Sequence, residues 1–401
     1  MTADLLVVGA GPAGCAAAIT AARRGLEVVV VDKAAFPRDK CCGDGLTTGA
    51  LRLLSGLGFD PATVPSWQEV GSAWVRSPTG YAVEFPFPTG QGLFGAVAPR
   101  VELDASLVAL ARRAGATVHE GHGLAGIVDQ HTDATTVDIE GMGPVRARWV
   151  IGADGMWSPL RKALGLTPEG YLGEWHAFRQ YAEGVTGDGA NRLWVWFEED
   201  LLPGYAWSFP LPGGRANVGF GVLRDGVRRI QTMKATWADL LERPHVRATL
   251  GPEARLVDRH TAWPIPARID TMTSGSGRAL LVGDAVAATD PMTGEGIGQA
   301  LLTGSLAAEA IAAGGTPTAV QAAYRAALER HLVPDHRMSV ALGKVLQHRR
   351  GTRAAIRIAG ATSWTRRNFA RWLFEDEPRA AAITPGRWHR NFLRRPGATF
   401  G

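Results

Sequence analysis

Three glycine-marked stretches hold the residues of this chain best suited to chemistry. The first, Gly9-Ala10-Gly11-Pro12-Ala13-Gly14, follows one apolar run and opens an alanine-rich one. Gly9 permits a tight turn, Gly11 lets the backbone approach a pyrophosphate, and Gly14 lets the next helix lie close to a sheet, while the helix's first amides are free to hold phosphate. Past Gly14 a second apolar run ends at Asp32, followed by Lys33. A carboxylate there accepts hydrogen bonds from a ribose diol and disfavours a 2′-phosphate, which points to FAD or NAD rather than NADP at this site. The second stretch is Gly152-Ala153-Asp154-Gly155-Met156-Trp157-Ser158-Pro159-Leu160-Arg161. The third runs from Gly283-Asp284 through Pro291, Gly294, Gly296, Ile297 and Gly298. Asp284 is placed to accept from a ribityl hydroxyl. The turn that feeds the following helix offers free amides and a positive dipole end, worth up to about 2 kcal/mol in partly buried geometry, matched to the flavin edge that becomes anionic on reduction. Singly, Asp154 reads equally as a helix cap and Gly294 to Gly298 as turn glycines. Together, in this order and each after a buried strand, the three predict FAD binding.

The elements around them read as an α/β chain. Asp4–Gly9 and Leu26–Asp32 are buried strands flanking a helix over Gly14–Gly25, a βαβ opening. Alternation broken by Pro and Gly over Val70–Val97 predicts strands of a different sheet, and Arg100–Ala114 an amphipathic helix. Between Gly165 and Pro266 six tryptophans (Trp175, Trp194, Trp196, Trp207, Trp237, Trp263) stand among alternating patterns, the texture of a substrate-facing sheet. Arg278–Val282 returns as a buried strand. The expected fold is a discontinuous Rossmann-type FAD-binding domain over residues 1–69, 98–165 and 275–340. An antiparallel β-sheet substrate domain takes 70–97 and 166–274, and a basic helical C-terminal segment takes 341–401.

The ordered set of dinucleotide fingerprint, Gly152-Ala153-Asp154-Gly155 with Ser158 and Arg161, and Gly283-Asp284 with Pro291 and Gly294-Glu295-Gly296 resembles the superfamily of aromatic hydroxylases, flavin-dependent halogenases and geranylgeranyl reductases. Two further stretches resemble the geranylgeranyl reductase family. Cys42-Gly43-Asp44-Gly45, after Pro37-Arg38-Asp39-Lys40, is similar to its CGGG-type loop, with Asp44 in place of a glycine. Pro203-Gly204-Tyr205-Ala206-Trp207-Ser208-Phe209-Pro210 is similar to its P-x-x-Y-x-W-x-F-P substrate wall. Arg100 and Asp104 fit its R-x-x-x-D pattern, which implies an arginine near the flavin nucleotide. The resemblance implies that Arg38, Cys42, Gly43 and Arg100 join the cofactor residues. It implies that Tyr205, Trp207 and Phe209 bind substrate, their alternation putting all three on one face of a strand, where the competing role is sheet packing. Cys42 and Asp44 are the catalytic candidates, with a steric role for Cys42 and a helix-capping role for Asp44 as alternatives.

The activity so implied is reduction of C=C bonds of a prenyl chain by hydride from flavin N5, with NADPH or another small carrier as electron donor. The runner-up on the same scaffold is an FAD-dependent monooxygenase acting through a flavin hydroperoxide on an aromatic or terpenoid substrate. Val286, where aromatic hydroxylases often carry histidine, counts against it. A halogenase fits less well, because Trp194-Val195-Trp196-Phe197-Glu198 lacks the Ile-Pro ending of that family's motif. A non-enzymatic flavin-binding module is the remaining class.

Composition narrows the setting. At 401 residues and 46% apolar content the chain can enclose a cofactor, and no apolar run approaches the roughly 20 residues of a membrane-spanning helix. Cys15, Cys41 and Cys42 are too few for a disulfide framework, and no metal-ligand spacing accompanies them, so no structural metal is expected; the first apolar run follows Met1 to Asp4 with no basic stretch before it, so the expected location is cytoplasmic. From Lys344 onward 13 basic residues face three acids, in a chain whose total charge is +5. There Trp364, Phe369, Trp372, Phe374, Trp388 and Phe392 alternate with arginines. Two expectations follow: peripheral contact with an anionic membrane surface, or aromatics packed on the body with arginines in water. Nucleic acid is not an expected partner.

Overall fold

The computed structural model describes residues 1–90, 92–224, 232–388 and 397–400. Tail residues Arg390, Phe392, Arg394 and Arg395 lie outside this set.

The β-branched and leucine-rich runs Thr2–Val8 and Val28–Asp32 form parallel strands at the centre of an eight-stranded sheet. Such runs suit strands buried on both faces. The parallel order continues outward to Thr117–Glu120 on one side and to Gly143–Gly152 and Ala279–Leu281 on the other, with Thr135–Ile139 added antiparallel to Gly143–Gly152 and Leu124–Gln130 antiparallel to Thr135–Ile139. Chain segments far apart in sequence thus end side by side, which brings the three glycine-marked turns together. Between the first two strands runs helix Pro12–Arg23, begun by a proline at its first position, where no amide hydrogen is needed. Helix Ile297–Ala312 lies against it so closely that a Cβ on Gly304 would stand 2.1 Å from the Ala13 carbonyl oxygen.

The second layer is a seven-stranded sheet in the order Arg255–Ile265, Trp175–Glu183, Arg215–Leu223, Tyr205–Leu211, Leu193–Trp196, Ser72–Arg76, Ala82–Pro86. It is antiparallel except for the parallel pairing of Leu193–Trp196 with Ser72–Arg76. Its tryptophans divide by face. Trp194 and Trp196 pack with Phe178 and Phe220 beneath helices Met233–Glu242 and Pro244–Leu250, the first of which adds Trp237 to the cluster. Trp175, Trp207 and Trp263 line the cavity on the other side. Gly95–Val97, expected in this sheet, instead joins Gly45–Thr47 and Gln68–Glu69 in a separate three-stranded sheet. Strands of two or three residues show no period that sequence could reveal.

The C-terminal segment forms helices Val333–Leu346, Arg349–Ala359 and Ser363–Leu373. Phe369 packs on Phe85 at 4.7 Å between ring centroids and Phe374 on Phe87 at 4.4 Å, while Trp364 is 63% exposed. The aromatics thus divide between packing on the body and facing water. Among the described residues no helix is long and apolar enough to cross a membrane.

Candidate active site: a flavin cradle facing an aromatic wall

One cavity of about 890 Å³, near the upper end of the roughly 300–1,000 Å³ usual for ligand sites, runs between the two sheets and beneath the C-terminal helices. Of the sequence-predicted residues, Gly11, Pro12, Ala13, Asp32, Lys33, Arg38, Cys42, Gly43, Asp44, Arg100, Asp154 and Gly155 line it. So do Tyr205, Trp207, Phe209, Gly283, Asp284, Pro291, Gly294, Gly296 and Ile297. Gly9 and Gly14 lie one layer behind. Gly9 has φ +103°, and a Cβ there would meet the Ala153 carbonyl oxygen at 2.3 Å; one on Gly14 would meet the Gly9 carbonyl oxygen at 1.8 Å. Their work is to let strand, helix and second turn close up.

The fit to FAD can be judged residue by residue. Helix Pro12–Arg23 starts at Gly11 with no side chain capping its amides, leaving them open to an anion. Two guanidinium groups stand beside it. The Arg100 side chain donates twice to Asp104, at 2.7 Å each, and Arg38 Nη1 reaches the same carboxylate at 2.8 Å. Asp104 has no exposed surface and carries one negative charge against two positive, so the pair keeps a net positive charge for a pyrophosphate. Asp32 is anchored by the Ala10 amide at 2.7 Å and the Ala34 amide at 2.8 Å, which fixes its carboxylate for a ribose. Gly283, at φ +59°, hands the chain from strand to Asp284. Asp154 accepts from the Leu160 amide at 2.9 Å in the first turn of the short helix Pro159–Ala163, which Ser158 caps, while its other oxygen is buried without a partner in the cavity wall. Burial raises the Asp154 carboxyl above its ordinary value. The cap is thus Ser158, and the second-stretch aspartate steadies the first turn while keeping an open acceptor. These features fit the cofactor.

The loop at Cys42 to Gly45 joins cradle to wall. A Cβ on Gly43 would stand 3.3 Å from the Phe209 ring and 3.6 Å from Trp207, so the loop lies flat on the aromatic strand. Tyr205, Trp207 and Phe209 succeed one another at 6.1 Å between centroids along that strand, and the Tyr205 hydroxyl donates to the Thr293 carbonyl of the third turn. Burial pushes the Cys42 thiol up to about 11, leaving it a neutral small group at pH 7 and favouring the steric role.

Asp44 is fully buried at φ +64°. It does not cap the following helix; Thr47 does that, accepting from the Ala50 amide. Asp44 instead accepts from the Arg100 amide at the start of helix Arg100–Arg113 at 3.3 Å, from the Tyr181 hydroxyl at 2.7 Å and from the Asn217 amide at 2.7 Å. Asn217 also donates to the Cys42 carbonyl at 2.8 Å and accepts from the Trp207 indole at 3.0 Å. Burial raises Asp44 to about 6 against these donors. Asn217 is a site residue that sequence reasoning missed, and Tyr181 one that its spacing did not single out; only the fold shows that both meet Asp44.

The opposite wall comes from the C-terminal segment, with Ile356, Phe369, Trp372, Leu373 and Phe374 lining the cavity. It is latched to the third turn by Arg379, which donates to Thr293 and to Glu375 at 3.1 Å each and lies 3.6 Å from Asp290.

Residues 2–333 match the model of a family described as FAD binding domain. A menaquinone reductase of Mycolicibacterium smegmatis is 34% identical over 82% of this chain and 81% of its own length. The chain belongs to the geranylgeranyl reductase family of FAD-dependent oxidoreductases. A digeranylgeranylglycerophospholipid reductase of Methanosarcina mazei is 31% identical over 77% of this chain and 74% of its own. Among solved structures, a geranylgeranyl bacteriochlorophyll reductase-like protein of Thermoplasma acidophilum superposes with a TM-score of 0.77 at 23% identity, over 96% of this chain and 99% of that one. A p-nitrophenol 4-monooxygenase of Pseudomonas putida reaches 0.72 at 18% identity, over 92% and 97%. At such identities these two structures speak for the shared fold alone. As a member of the geranylgeranyl reductase family the chain is an FAD-dependent oxidoreductase.

Proposed function

We propose that this enzyme reduces C=C bonds of a prenyl chain carried by a lipid or quinone, with NADPH as the electron donor. The observation that carries the reading is the apolar slot between Trp207 and Phe209 on one side and Phe369 and Leu373 on the other, opening onto the loop at Cys42 and Gly43. Relatives named for menaquinone and digeranylgeranylglycerophospholipid reduction support it.

Bound FAD supplies the electron pair as hydride. Gly11 to Ala13, Arg38 and Arg100 would hold its phosphates, Asp32 and Lys33 its adenosine end, Asp284 the ribityl chain, and Gly43 with Pro291 to Ile297 the ring edge. Trp207 and Phe209 lay the alkene flat against the slot, and Tyr205 fixes the third turn. The slot excludes water, which protects the hydride step. Asp44, held at about 6, supplies the proton that completes the second C–H bond.

The cationic helix Arg349–Ala359, with Ile358 70% exposed, and the exposed Trp364 suit the anionic inner face of a membrane, where such a substrate resides. We place the enzyme in the cytoplasm at that surface.

The test is anaerobic mixing of photoreduced holoprotein with geranylgeranyl and menaquinone substrates. Flavin reoxidation with a product gaining two hydrogens supports the reductase. Reoxidation only in air, with one oxygen atom gained, supports the monooxygenase instead. Sedimentation with anionic vesicles, weakened by salt, tests the membrane contact.

A further inference from the structure

The aromatic slot occupies one end of the cavity. The other end lies under strands Trp175–Glu183 and Arg255–Ile265, at one margin of the same sheet. Strand Arg255–Ile265 is three places from Tyr205–Leu211, roughly 14 Å at ordinary strand spacing. The side chains there have a different character. Trp175 and Trp263 line the wall, and Trp157, 51% exposed, stands on the rim beside Gly155. Lys40 reaches in between, its amine 3.7 Å from the centre of the Trp263 ring.

Two polar groups at this end lack partners. The Trp263 indole N–H is buried with no acceptor. The half-buried Lys40 amine, seated on the Trp263 ring, forms no hydrogen bond or ion pair among the described residues; burial lowers its pKa and the charge of Asp284 acts against that. Arg38 and Arg100, by contrast, are already shared with Asp104 beside the first turn. A prenyl chain brings nothing that would satisfy a half-buried ammonium and a buried indole N–H. A planar, phosphate-bearing ligand brings both a ring for the tryptophans and an anion for the lysine.

We propose that this end of the cavity, built from Lys40, Trp263, Trp175 and Trp157, is the docking site of the electron donor, a reduced nicotinamide dinucleotide. The inference rests on the reductase reading above and assigns it a second site. The donor's dihydropyridine ring gives up a hydride, two electrons with one hydrogen, to oxidised flavin and leaves as the pyridinium cation; the remaining flavin proton comes from solvent. Donor and prenyl substrate then address one flavin from the edge and the middle of the sheet without competing for one pocket.

The experiment separates the half-reactions. Holoprotein, Lys40→Gln and Trp263→Leu are mixed anaerobically with NADPH, and flavin bleaching is followed against NADPH concentration. NADP⁺ binding to the oxidised proteins is read separately by quenching of tryptophan fluorescence. Both variants are expected to bind NADP⁺ and NADPH about tenfold more weakly or worse, a loss of about 1.4 kcal/mol. FAD content and the reaction of photoreduced protein with prenyl substrate should stay at wild-type values. Unchanged donor affinity overturns the assignment, as does loss of FAD from Lys40→Gln, which would give the lysine to the cofactor's phosphates. Wild-type protein that neither binds NADP⁺ nor bleaches with NADPH overturns it too. Normal bleaching with no prenyl turnover by any photoreduced protein sinks the reductase reading and leaves the donor site standing.

Discussion

Asp44 sits in left-handed backbone with no exposed surface, a position its family pattern gives to glycine. It is stable there because three donors converge on its carboxyl, while burial raises its pKa from 3.8 to about 6. A raised carboxyl pKa means that the fold prefers the protonated form. Its contribution to stability is therefore full below about pH 4 and is lost as pH rises through about 6. Two pH units correspond to about 3 kcal/mol. In denaturant titrations, the stability of wild type relative to Asp44→Asn should fall by up to this amount between pH 4 and pH 8. A difference that is flat with pH would show that Asp44 is not buried as described. In the photoreduced half-reaction, wild type should slow above about pH 6, while Asp44→Asn should be about a hundredfold slower and independent of pH. Sequence reasoning found Asp44 because it broke a motif. It missed Asn217 and left Tyr181 unassigned because they stand 173 and 137 residues away, and only the pairing of remote strands brings them to the loop.

The same contrast between local and remote information holds for whole elements. The opening strands and their helix were legible because β-branched runs and an alanine-rich run announce themselves without help from the rest of the chain. The contact between helices Pro12–Arg23 and Ile297–Ala312 was not, because Gly304 looks like any small residue in an alanine-rich helix. Its importance is set by the partner: a Cβ there meets backbone, which cannot turn aside as a side chain would. Gly304→Ala should cost on the order of 1–3 kcal/mol and, by lifting the helix that carries the third turn, weaken FAD retention. Gly56, at the end of helix Thr48–Gly56, has open space where an alanine methyl would go, with no atom within 4 Å, so Gly56→Ala should stabilise by roughly 0.5–1 kcal/mol. Thermal melts with flavin release monitored by fluorescence compare the two directly. Equal effects would mean that the close approach of the helices is not what constrains Gly304.

At the scale of the molecule, the charge count of the C-terminal segment suggested a surface role, yet the part nearest the cavity is internal. Arg379 is 2% exposed and is the buried cation around which Asp290, Glu295 and Glu375 gather. Three carboxyls against one guanidinium cannot all ionise without penalty. Burial and the neighbouring Glu375 push Glu295 up to about 8, so it keeps its proton at pH 7; burial raises Glu375 as well, while Arg379 helps to hold Asp290 below the usual carboxylate range. Arg379→Met removes the countercharge and leaves the Asp290 carboxylate buried without it, a defect of about 3–5 kcal/mol for a broken buried pair. Asp290 also accepts from the Thr293 amide and hydroxyl, so the loss reaches the third turn as well as the segment. The expected result at pH 7 is joint failure: the peptide around residues 374–388 becomes open to protease and bound FAD is released more readily. At pH 5 protonation of the stranded carboxyl should restore part of both. Arg379→Lys should fall between, since one ammonium cannot reach Asp290, Thr293 and Glu375 together. Protease sensitivity without any change in FAD retention would separate the segment from the cofactor turn and confine its role to the substrate wall.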